Sequence, residues 1–100
     1  MNEPSLTALG TINGYPVIAA ALTPGGRGLR PGATILVDRG EGSHDRYVVA
    51  WAGWSAQDGW DRSWCHGHYR SDFSDIWRVF TIHATRDQAC ALVKDPQAAA

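Results

Sequence analysis

A chain of 100 residues, 44% hydrophobic and 19% charged, has the size and composition of one globular domain and is too apolar for a disordered segment. Nine Lys and Arg against ten Asp and Glu give a net charge of −1, which speaks against nucleic acid as a partner, since phosphate binding needs clustered cations. No apolar run approaches the ~20 residues of a membrane span, and Met1–Gly10 lacks the basic and apolar stretches of a secretion signal, so a cytoplasmic protein with no membrane partner is expected.

Asn13-Gly14 is the first strong local signal. Both residues tolerate the positive φ of a type I′ turn, which predicts a hairpin between a strand over Leu6–Ile12 and a second over Tyr15–Leu22. Pro16 cannot donate to a ladder, so its end of the strand belongs at an edge or a bulge. Thr23–Gly32 holds two prolines and four glycines and cannot be a regular element. Arg27 and Arg30 raise the idea of an anion loop there, but the Gly-Lys-Ser/Thr ending of a phosphate loop is missing. A connection is expected.

Ala33–Asp38 reads as a third strand, and Arg46–Trp54, rich in β-branched and aromatic residues, as a fourth. Asp58-Gly59 marks a second tight turn, followed by a fifth strand over Trp60–Tyr69. Beyond Ser71, Phe73, Trp77, Phe80, Ala84 and Ala91 recur at helical spacing, flanked by Ile76 and Leu92. One long helix is favoured, capped by Ser71 or Ser74, with Asp75 in its first turn, Lys94 in its last and Pro96 beyond. The competing reading is a strand over Trp77–Ala84 and a shorter helix capped by Thr85, with Gln88 completing a capping box. Residues 95–100 are expected to fray. The fold class expected is α+β: a single domain with an antiparallel sheet of about five strands and a C-terminal helix packed on one face.

Trp51–Tyr69 concentrates four of the five tryptophans, two histidines and Cys65. If Asp58 and Gly59 are the turn, facing residues have numbers summing to 117: Tyr47 with Arg70, Val49 with His68, Trp51 with His66, Gly53 with Trp64. One flank then carries Tyr47, Trp51, Trp64, His66 and His68. The other carries Ala50, Ala52, Cys65 and Gly67, a thin floor for a helix bearing Trp77 and Phe80. The bulky flank is the expected partner-binding face, because aromatic residues dominate binding hot spots. N-terminal segments covering it are the alternative, and Trp54 and Trp77 are core candidates.

Other chemistries find thinner support. His66 and His68 leave one strand face together, which suggests a metal-binding domain or metal-dependent hydrolase. Zinc needs further ligands, and His44, His83, Cys90 or an Asp would have to supply them. Cys65 beside His66 resembles a nucleophile and base, but adjacent strand residues point to opposite faces. Cys65 and Cys90 fit no disulfide or zinc framework and read as free thiols. No catalytic residue and no cofactor are expected.

The stretches "YVVAW", "GW" and the Trp, Gly-His-Tyr, Asp, Trp, Phe run, together with "TINGYPVIAAALTPGGRGLRPGATILVDRG", resemble small uncharacterised proteins encoded by bacteriophages of mycobacteria and related actinobacteria. The likeness runs from Gly10 to Thr85 and carries no catalytic motif. It implies a non-enzymatic interaction protein that binds and modulates a host bacterial protein, with growth inhibition as one outcome. A self-associating structural protein, its aromatic face forming a homodimer, is the other non-enzymatic expectation.

Overall fold

The computed structural model describes residues 4–25, 30–87 and 91–93, with 85–87 and 91–93 described by their backbone alone. Arg27, Gln88, Cys90, Lys94, Pro96 and the 95–100 tail, and the Thr85 side chain with its proposed cap, lie outside the described residues. Asn13 and Gly14 take φ of 54° and 81° and reverse the chain in two residues. This joins β1 (Thr11–Ile12) to β2 (Tyr15–Thr23), with Ile12 opposite Tyr15. The first strand is shorter than expected. Leu6–Ala8 forms a single 3-10 turn instead, whose Leu6 and the following Leu9 point into the core.

β2 pairs with β3 (Gly32–Asp38), and β3 pairs along its whole length with β4 (Tyr47–Ser55). A register shift lies between Val17 and Ala19, directly after Pro16, where the missing N–H already weakens the ladder. Past β4 come β5 (Gly59–Trp60), β6 (Cys65–Arg70), α1 (Phe73–Asp87) and β7 (Ala91–Val93). The sheet runs β7-β2-β3-β4-β6, with β1 beside the start of β2 and β5 beside the end of β4, and every pairing is antiparallel. The fold is α+β, as the residue pattern implies.

α1 starts at Phe73 because the Asp72 carboxylate accepts the Asp75 N–H at 3.1 Å, so Asp72 is the cap rather than Ser71 or Ser74. Phe73, Ile76 and Phe80 are buried on Ala19, Ala21, Leu36, Tyr47 and Val49. Phe73, Trp77 and Phe80 stack along the helix with centroids 5.7 and 5.4 Å apart. The favoured helix forms over Phe73–Asp87 but does not extend to Ala91, since Ala91–Val93 pairs with Ala19–Ala21 as β7, and Trp77–Ala84 is helix rather than the strand of the competing reading.

The helix therefore lies on the face opposite to the one expected. The flank of Val48, Ala50 and Ala52 is covered by Leu6, Leu9, Ile12, Val17 and Trp60, with Tyr15, Leu22, Trp54 and Trp64 packed at the margin. The physical reason lies in β2. Its register shift leaves Ala19 and Ala21 beneath α1, so the small residues that accommodate Phe80 and Trp77 come from there, not from β4. Ala20, Ala33, Ala50 and Ala52 on the other side let Leu6, Leu9 and Ile12 of the N-terminal segment approach closely. Trp60 closes that layer, donating its Nε1–H to the Ser5 carbonyl at 2.9 Å.

Candidate functional site

The hairpin that carries the candidate residues departs from the ideal in two places. Its reversal is a three-residue loop, Ala56–Asp58, closed by Ser55 opposite Gly59, whose φ of 76° needs glycine. The turn is thus displaced from the expected Asp58-Gly59 pair. Asp61 to Trp64 then leave the ladder, which resumes only at Cys65. At the far end the expected register holds: Tyr47 faces Arg70, Val48 faces Tyr69, Val49 faces His68. Between these regions His66 and Gly67 together oppose Ala50, and Trp51 faces Cys65 instead of His66. His66 takes a φ of 58°, the left-handed conformation of a bulge.

These departures disperse the five-residue face. Tyr47 is buried, its ring edge-on to Phe73 at 5.3 Å, and is part of the core under α1. Trp64 lies on the other flank, beside Tyr15 at 6.3 Å, with its Nε1–H donated to the Tyr69 hydroxyl at 3.0 Å. It leaves the face because residues 61–64 make no ladder pairs to hold the alternation. Trp51, His66 and His68 do come together. They line a hollow of about 300 Å³ with Thr34, Val49, Ala50 and His83, open to solvent beside α1.

Each wall comes from a different element. Trp51, half-buried on β4, is oriented by the hydrogen bond from its Nε1–H to the Thr23 hydroxyl at 3.0 Å. Gly32 lies against its ring, and the Arg30 guanidinium sits over it at 5.7 Å from the centroid. Arg30 in turn grips Asp61 through two bonds, 3.2 and 2.7 Å, and Asp61 also accepts the Gly53 N–H at 3.0 Å. His66 and His68 come from β6. His83 comes from α1, one turn beyond Phe80 and beside the buried stripe, with its ring 5.1 Å from that of His68. Cys65 is exposed, and its thiol is directed at the Trp51 carbonyl at 3.7 Å.

His83 entered the sequence reading only as a possible metal ligand. Its helical spacing from Phe80 was the available signal, since a residue three after a buried aromatic borders the covered face. The Arg30–Asp61 clamp had no sequence signal, because it joins a loop and a ladder break 31 residues apart. Among the described residues no group of three or more His, Cys, Asp or Glu side chains is arranged to hold a metal ion. His66 and His68 thus have no third ligand there.

Arg30's hydrogen bonds hold the Asp61 carboxyl below its usual range, against the opposing effect of burial and with help from the Gly53 N–H. Arg46 does the same for Asp38 through bonds of 2.7 and 2.9 Å. A carboxyl that titrates lower when folded contributes stability in full above the unfolded carboxylate range, near about pH 4, and loses it as the pH falls through the folded value. Asp61→Asn is accordingly expected to be less stable than the parent above the unfolded carboxylate range, with the difference closing as the pH falls through the lowered folded value. Urea unfolding across that range checks this, and a difference independent of pH would contradict it.

No protein-family model matches this chain, and neither does any characterised protein or solved structure. No helix among the described residues is long and apolar enough to cross a membrane.

Proposed function

We propose that the chain is a non-enzymatic interaction protein whose contact surface is the hollow formed by Trp51, His66, His68 and His83. The observation that carries this reading is the half-buried indole in the lining of an open hollow, held in place by contacts with Thr23, Gly32 and Arg30. A ring fixed before binding loses little freedom when a partner arrives, and Trp is the residue type most often found at the energetic centre of protein interfaces. The hollow sits where β3, β4, β6 and α1 meet, so its shape is set by the sheet and helix rather than by a loop.

The resemblance to small phage proteins supports a partner from the host bacterium, engaged in the host cytoplasm and altered in activity by the contact. Tyr47 and Trp64 are not part of this surface. They hold the helix and the N-terminal layer.

Affinity capture from host lysate compares the parent with Trp51→Ala/His68→Ala, with folding verified by circular dichroism. The expected result is a partner retained by the parent and lost, by at least about tenfold, with the double substitution. Unchanged capture would overturn the assignment of the surface. Light scattering on the same proteins separates a foreign partner from a second copy: a dimer that dissociates on substitution makes the second copy the occupant.

A further inference from the structure

The lining of the hollow is one-sided in its chemistry. Its ionisable groups among the described residues are three imidazoles, from His66, His68 and His83. Thr34, Val49, Ala50 and Trp51 complete the wall without a carboxylate. The carboxylate of Asp61 is already taken by Arg30 and the Gly53 N–H. On β6, Cys65 is turned to the Trp51 carbonyl, and Arg70 lies two residues beyond His68. On α1, Asp75 and Arg78 are exposed and lie outside the lining. β3 and β4 present no ionisable group to the hollow, and Arg30, which packs against the indole, is not among its lining residues.

A neutral imidazole offers one N–H donor and a protonated one offers two and a positive charge. Three such rings around one space, with no carboxylate among the described residues that line it, form a site for an anion. At about 300 Å³ the space is at the small end of ligand sites and has ample room for a single side chain. The indole suits an aliphatic stem.

We propose that the hollow is a carboxylate receptor, taking an acidic side chain of the partner between the imidazoles of His66, His68 and His83 with its methylenes on the Trp51 ring. This rests on the reading of the hollow as the contact surface. A protonated imidazole bonds a carboxylate more strongly than a neutral one, so tighter binding is expected at the lower pH.

The probe is N-acetyl-glutamate N-methylamide, compared with its glutamine isostere at about pH 5.5 and about pH 8, spanning the range in which histidine changes charge. NMR of the histidine ring signals gives the readout. The acid should shift His66, His68 and His83 but not the exposed His44, and bind at least about tenfold more tightly at the lower pH than at the higher. His68→Gln/His83→Gln should remove that binding while leaving the fold's circular dichroism unchanged. Equal binding of the glutamine isostere, or shifts in His44 equal to those of the three, would overturn the proposal. Partner capture that needs Trp51 but survives His68→Gln/His83→Gln overturns it too, and leaves the contact surface in place. Pronounced binding of the acid with capture indifferent to Trp51 supports the receptor and overturns the contact-surface reading instead.

Discussion

Trp60→Ala is expected to lower the stability of the domain by about 3–5 kcal/mol, the range for deleting a large buried ring. Trp60 is 4% exposed and packs in the layer of Leu6, Leu9, Ile12 and Ala52, so its loss opens a cavity in a core otherwise built from aliphatic residues. The substitution also removes the donor to the Ser5 carbonyl, which is what ties the N-terminal segment to β5. In a domain of this size such a loss lowers the melting temperature by more than about 10 °C. Trp54→Ala, at a half-buried ring on the margin of the same layer, should cost distinctly less. Thermal melts of the two variants decide the matter, and equal effects would show that the N-terminal layer is not held by Trp60.

Gly32→Ala is expected to be the most damaging addition of a single methyl group. A Cβ there would stand 2.4 Å from the Ala52 carbonyl oxygen and 2.4 Å from Trp51 Cζ2, closer than atoms can approach. The first contact is backbone in the central ladder between β3 and β4 and cannot rotate away. The second would push the indole out of the hollow. Overpacking of this kind costs about 1–3 kcal/mol, and here it should also change the fluorescence of Trp51 and weaken partner capture. Urea unfolding and emission spectra together test this. A variant with the parent's stability and spectrum would mean that Gly32 does not touch the ring.

The parts of this fold that are legible in the sequence are those set by local backbone demands. Asn13-Gly14 needs left-handed φ at both positions, and few residue pairs supply it, so the first hairpin is placed to the residue. The pairing of Tyr47–Val49 with His68–Arg70 also follows from alternation alone. What escapes is the consequence of a bulge. His66 is not a glycine, and nothing in "CHGH" announces a positive φ one residue before Gly67, yet that residue shifts the facing partner of Trp51 from His66 to Cys65.

The choice of helix face escaped for a different reason. It is a property of the whole layer, and alanines occur on both sides of β2, so one hairpin considered alone cannot reveal which flank has room. Trp60 shows the same limit. Beside a turn glycine it has the pattern of a short strand, and only the arrival of Ser5, 55 residues away, buries it. For the site, the residue types were legible and their grouping was not: three of the five expected side chains meet, and His83 joins them from the helix.

The most direct test places a photo-crosslinking side chain at single positions and exposes the labelled protein to host lysate. Position 66, at the rim of the hollow, should yield one dominant crosslinked partner, whereas position 57, in the exposed Ala56–Asp58 loop, should yield none. Crosslinks to the same partner from position 57 and not from position 66 would contradict the assignment of the hollow as the contact surface.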